Sequence, residues 1–223
     1  MVKIKDIEIE FLGHSGFLIK TETKIIIIDP YNTSEKTPQA DLILITHPHY
    51  DHCSIKDIQK IAKPNTTVLI PADAQSKITK IENLHLEVIE SGDNLEIQNI
   101  KIRAVPAYNK SKSFHEKKEG WLGYILKFQD VIIYHAGDTD IIPEMKNLTG
   151  YGKKDNQFIT LLPISGEFTM DAEQAAETAS LLNPTLAIPM HYGAGVAGTL
   201  EDAQRFVERC KELNVNAKIL EKI

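Results

Sequence analysis

The stretch Thr46-His47-Pro48-His49-Tyr50-Asp51-His52 puts three histidines and one aspartate within six residues. Imidazole nitrogens and carboxylate oxygens are the donors that zinc and similar divalent ions take. Packing rarely calls for four of them in so short a span, so a metal site is the first reading. A polar, histidine-rich loop is the plainer one. The cluster follows Leu42-Ile43-Leu44-Ile45, an apolar run that suits a buried strand of a parallel or mixed sheet. The donors therefore stand where a strand ends.

Other segments are built the same way. The β-branched run Lys24 to Ile28 delivers Asp29, Val131 to Tyr134 leads through His135-Ala136-Gly137 to Asp138, and Leu186 to Met190 delivers His191. A strand ending in aspartate followed by a strand ending in histidine occurs in each half, a weak internal repeat. Ahead of these, Ile4 to Phe11 alternates apolar and charged residues like a half-buried strand, Leu12-Gly13-His14-Ser15-Gly16 is a turn, and Phe17 to Lys20 resumes the sheet. Helices are expected after Ser54, with Ile55, Ile58, Ile61 and Ala62 inward, and over Ala72 to Ile81. Two more are expected over Asp171 to Leu182, with an alanine-rich face, and after Thr199. In the last, Leu200, Ala203, Phe206, Val207 and Cys210 recur at helical spacing.

A chain of 223 residues, 42% hydrophobic, can bury a sizeable core, and one domain over 1–223 in two similar halves is expected. The net charge of −6 and pI of 5.8 argue against general nucleic-acid or anionic-membrane binding. Cys53 and Cys210 make no disulfide framework; Cys53 is either an outer neighbour of a metal or a small buried thiol. With no membrane-length apolar run and no leader at Met1 to Lys5, a cytoplasmic protein is expected, with a small molecule as its partner.

The heptapeptide Thr46 to His52, Gly137-Asp138-Thr139 and His191 come in the order of the metallo-β-lactamase fold superfamily, which the chain resembles from Phe11 to about Gly195. Leu12-Gly13-His14-Ser15-Gly16 is similar to the opening hairpin of the branch that includes ascorbate-phosphate lactonases and N-acyl-phosphatidylethanolamine phospholipase D. The resemblance implies an α/β fold, a four-layer αββα sandwich with two pseudo-symmetric halves. It also implies a dinuclear site: His47, His49 and His115 on one divalent ion, Asp51, His52 and His191 on the second, and Asp138 between them. Zinc is the expected metal, with manganese or iron as alternatives. Relatives often carry a ligand histidine where this chain has Asn109, and His115 is the donor available instead; a loop histidine making surface contacts is the other reading. Asp29 or Thr46 could brace the ligand rings from behind.

Two ions a few ångströms apart can share a water whose pKa is drawn towards ~7, giving hydroxide at neutral pH, with Asp51 steering its proton. The expected activity is hydrolysis of an ester, lactone or phosphodiester. His49 stands where di-iron, oxygen-reducing relatives have glutamate. Lys110, Lys112, Lys117 and Lys118 surround His115 and either gather an anionic substrate or form a solvated charge run. A metal-binding sensor or interaction module without turnover is the alternative on the same fold. The roles of His14, at the site's mouth or bonded to backbone, and of His135 stay open.

Overall fold

A run of isoleucines buries both faces only inside a sheet, and in the structure, a computed structural model, Ile25–Ile28 lies in the middle of one. Residues 1–97, 99–153 and 155–223 are described; Gln98, expected in a turn, lies outside them. The chain divides into two compact units, residues 1–90 with 220–223, and residues 91–219.

In the first unit β1 (Val2–Ile4), β2 (Ile7–Gly13), β3 (Gly16–Lys20), β4 (Ile25–Ile28), β5 (Leu42–Leu44), β6 (Thr67–Ile70) and β7 (His85–Val88) lie side by side in chain order. The first four run antiparallel, and β4 to β7 run parallel. The single strand expected over Ile4 to Phe11 is thus a hairpin, because Lys5 turns left-handed (φ 53) and reverses the chain. Helix α1 (Ile55–Ile61) starts where Ser54 Oγ accepts the Asp57 N–H, as its sequence required. Ile58 and Ile61 pack into a core with Leu18, Ile27, Ile43, Val68 and Ile70. Each such burial is worth roughly 1.5–3 kcal/mol, whereas Ile55, expected inward, is exposed. The helix expected over Ala72 to Ile81 shrinks to a 3₁₀ turn at Ala72–Ala74 and the one-turn α2 (Gln75–Ile78). Neither start carries a side-chain cap, and the segment's apolar hold on the core is confined to Ala74 and Ile78, with Ile81 partly buried against it.

In the second unit β8 (Asn94–Ile97), β9 (Ile100–Pro106), β10 (Leu122–Phe128) and β11 (Val131–His135) form an antiparallel meander, and β12 (Gln157–Pro163) and β13 (Leu186–Met190) extend it in parallel. Capping boxes at Asp171 and Thr199 open α3 (Ala172–Leu182) and α4 (Leu200–Glu212), which pack together. The alanine face of α3 is buried as expected; on α4, Leu200 stays exposed while Ala203, Phe206 and Cys210 are buried. Both units thus set parallel strands beside an antiparallel meander. The repeat is looser than the strand ends suggested: β4 and β5, which lead to Asp29 and His47, are neighbours, but β12 separates β11 from β13 and hence the strands leading to Asp138 and His191.

Candidate metal centre

In the first unit the chain leaves β5 and wraps so that His52 N–H and Cys53 N–H both donate to His49 O, at 3.1 and 2.8 Å. The ammonium of Lys77 donates to Pro48 O and holds the same turn from outside. His47, Asp51 and His52 are buried, His49 partly so. His47 Nε2 lies 3.1 Å from His49 Nδ1, the His47 and His52 ring centroids are 4.0 Å apart, and His52 Nε2 is 3.7 Å from Asp51 Oδ2. The four donors of the heptapeptide therefore form one cluster.

Counting protons shows which ring nitrogen His47 and His52 present. Asp29, fully buried, accepts the Thr46 N–H at 2.8 Å on Oδ1, and the Thr46 hydroxyl at 2.6 Å on Oδ2. That spends the one proton of Thr46 Oγ1, so at the 2.9 Å contact with His47 Nδ1 the hydroxyl accepts and the ring donates. His52 Nδ1 donates to Asp29 Oδ2 at 2.8 Å. Both rings then carry their proton on Nδ1 and turn an Nε2 lone pair towards the cluster. A carboxylate or hydroxyl behind each ring is the usual brace of a ligand histidine.

The second unit holds the other three candidates. Asp138 Oδ2 lies 3.3 Å from His115 Nε2 and 3.0 Å from His191 Nε2, with all three residues buried. One carboxylate oxygen between two imidazole nitrogens at these separations matches neighbouring ligand atoms around ions with bonds of about 2.0–2.2 Å. The donor types and spacing fit divalent metal.

Backbone conformation adds a feature at four of these residues, among twelve described non-glycine residues with positive φ. His14, Asp29, His115 and His191 all adopt positive φ, between 45° and 63°, a conformation that costs a side-chain-bearing residue on the order of 1–3 kcal/mol and collects at functional positions. Gly137 (φ 64°) cannot be replaced freely, because a Cβ there would sit 2.3 Å from Leu122 O. His135 supports this turn, its Nδ1 accepting the Gly137 N–H at 3.2 Å.

His14, whose role sequence left open, is fully buried, and its Nε2 meets Asp51 Oδ2 at 2.8 Å. Its ring also touches that of Tyr31, which contacts the exposed Tyr50. Cys53 belongs to the hydrophobic core, where burial pushes its thiol up to about 12, which fits the reading as a small buried thiol. Burial likewise pushes the phenol of Tyr192, beside His191, up to about 12, and it stays protonated at neutral pH. His85 is exposed and pairs with Glu87 at 2.9 Å. The lysines near His115 are largely committed. Lys112 bonds Asp140 and Thr169 O, Lys117 bonds Glu144, and Lys118 bonds Glu116.

Known proteins agree with this picture. Residues 8–191 match the family model described as a beta-lactamase superfamily domain. The chain belongs to that superfamily. It is 34% identical over 219 residues to a UPF0173 metal-dependent hydrolase of Nanoarchaeum equitans, covering 96% of this chain and 97% of that one. A UPF0173 metal-dependent hydrolase of Thermococcus onnurineus is 38% identical over 83% of this chain and 84% of its own length. Among solved structures, a metal-dependent hydrolase of Parabacteroides distasonis superposes with a TM-score of 0.81 at 32% identity, covering 96% of this chain and 94% of that one. Two mixed sheets with few covering helices and this likeness make the fold class the αββα sandwich of metallo-β-lactamase proteins, as the sequence led one to expect. No described helix is long and apolar enough to cross a membrane.

Proposed function

We propose that the protein is a metal-dependent hydrolase acting on an ester, lactone or phosphodiester of a small molecule. In this reading the two units work as one domain: His47, His49 and His115 hold one divalent ion, Asp51, His52 and His191 hold a second, and Asp138 joins them. The observation that carries it is Asp138 Oδ2 flanked by the Nε2 atoms of His115 and His191 at 3.3 and 3.0 Å. The superfamily membership adds to it. When bound, ions of this kind acidify water to a pKa near ~7 and polarise a carbonyl or phosphoryl oxygen. We take them to be zinc, with manganese or iron as substitutes.

The residues then divide the work. The Asp29–Thr46 pair fixes the His47 and His52 rings, so the donors need no rearrangement on binding. Asp51 takes up the proton released by the attacking water, and His14, 2.8 Å from its Oδ2, holds that carboxylate in place. Lys110, exposed and without an ion pair among the described residues, is the cation left for an anionic substrate. Two unpaired, buried cysteines suit a reducing cytoplasm, and the acidic balance suits a small-molecule partner over nucleic acid or membrane.

Elemental analysis of the purified protein, joined to assays on bis(p-nitrophenyl) phosphate and a lactone, tests the proposal. Two ions per chain and turnover of either substrate class are expected, and Asp138→Ala should release both ions and abolish turnover while leaving a folded chain. Two bound ions with no hydrolysis across a broad panel would instead favour a sensor or interaction module. Retention of both ions by the Asp138→Ala variant would remove the joining role.

A further inference from the structure

Asn109 follows β9, is 5% exposed, and spends its hydrogen bonds on the segments around His115. Its backbone N–H donates to His115 O at 2.7 Å. Its side-chain Nδ2 donates to Phe114 O at 2.9 Å and to Phe168 O at 2.7 Å. A carboxamide nitrogen has two protons, and both are now used. His115 Nδ1 lies 3.3 Å from that nitrogen and 3.0 Å from Phe168 O. No amide proton is left for the ring to accept, and a carbonyl oxygen only accepts. Nδ1 must therefore carry a proton and give it to Phe168 O, which leaves Nε2 as the ring atom that faces Asp138 Oδ2, 3.3 Å away.

Two further features mark the position as more than loop packing. His115 sits at φ 58°, and the bond from Asn109 N–H to its carbonyl pins that left-handed turn. Asn109 Oδ1 is buried with no partner among the described residues, a cost that native proteins rarely accept without cause. The side chain is kept for its two donors.

We propose that Asn109 is the positioning residue of His115: its amide fixes the Phe168 carbonyl and the Phe114–His115 turn so that the ring offers Nε2, and not Nδ1, to the metal. This rests on the metal-binding reading above. It assigns a role to the residue that stands where relatives carry a ligand histidine.

A double-mutant cycle on the full chain tests it, with zinc affinity measured by competition against a chromophoric chelator and nitrogen-15 NMR of the metal-free protein. Asn109→Ala should weaken zinc binding about 10–100-fold. In a His115→Ala background the same change should add less than about 2-fold, since a residue acting only through His115 has nothing left to position. The metal-free wild type should show the His115 proton on Nδ1, and the Asn109→Ala chain a mixture of both tautomers. Asn109→Ser, which keeps one donor, should give a smaller loss of the same kind and serves if the alanine chain does not fold. Unchanged affinity, an equal loss without His115, or a wild-type ring protonated on Nε2 and not on Nδ1 would each overturn the proposal. If the wild type takes up none of zinc, manganese or iron, the metal reading fails on its own, and the tautomer measurement still decides for or against Asn109.

Discussion

Replacing Thr46 by valine removes one oxygen and almost nothing else: the β-branched shape stays, and the backbone N–H still reaches Asp29 Oδ1. The lost hydroxyl had donated to Asp29 Oδ2 at 2.6 Å and accepted from His47 Nδ1 at 2.9 Å. A hydrogen bond to a charged group is worth about 1.5–3 kcal/mol, and leaving the buried ring N–H without an acceptor adds about 1–3 kcal/mol. Thr46→Val should therefore cost the metal-free chain about 2.5–6 kcal/mol, a large share of the roughly 5–15 kcal/mol that holds a domain together. Denaturant unfolding should show a lower midpoint with an unchanged slope. Zinc affinity should fall about 10–100-fold, because the His47 ring is no longer held from behind. Thr46→Ser restores the oxygen and should recover most of both. A valine variant as stable and as tight as the wild type, or a serine variant no better than valine, would refute the proton count on which the His47 assignment stands.

Two further changes probe the scaffold. Burial acts to raise the Asp57 carboxyl, but the bonds from Ser54, Thr33 and Asn32 outweigh it and hold the group below its ordinary value of 3.8. Its stabilisation is thus complete above the unfolded carboxylate pKa and is lost as pH falls through the lower, folded one. Asp57→Asn should flatten the drop in unfolding midpoint below about pH 4, and a midpoint curve identical to wild type over that range would show that Asp57 plays no part. Gly137→Ala should lower stability by about 3 kcal/mol, since the new Cβ meets Leu122 O at 2.3 Å; an unshifted melting temperature would mean that the turn can open.

Much of the candidate centre was legible in sequence because its side chains sit at strand ends, where an apolar run followed by histidine or aspartate is a local pattern. His47, His49, Asp51, His52, Asp138 and His191 all carried that signal, and Asp29 behind them did too. What could not be read depends on contacts far along the chain. Asp51 is 37 residues from His14, and Phe168 is 59 residues from Asn109, so neither pairing leaves a trace in spacing. Backbone handedness was equally hidden, since histidine does not announce a left-handed turn as glycine does; it sets His14, His115 and His191. The secondary structure failed where local cues were weakest, at the uncapped α2 and at Lys5, which splits one alternating run into two strands.

The carboxylate of Asp29 has a reach greater than its size. It holds His52 directly and His47 through the Thr46 hydroxyl, and in the proposed arrangement those two rings serve different ions. Whatever displaces this one side chain loosens both halves of the pair at once. Conversely, in that arrangement a first ion would leave the anchor stiffer for its companion, and the empty and doubly filled forms would be favoured over the half-loaded one.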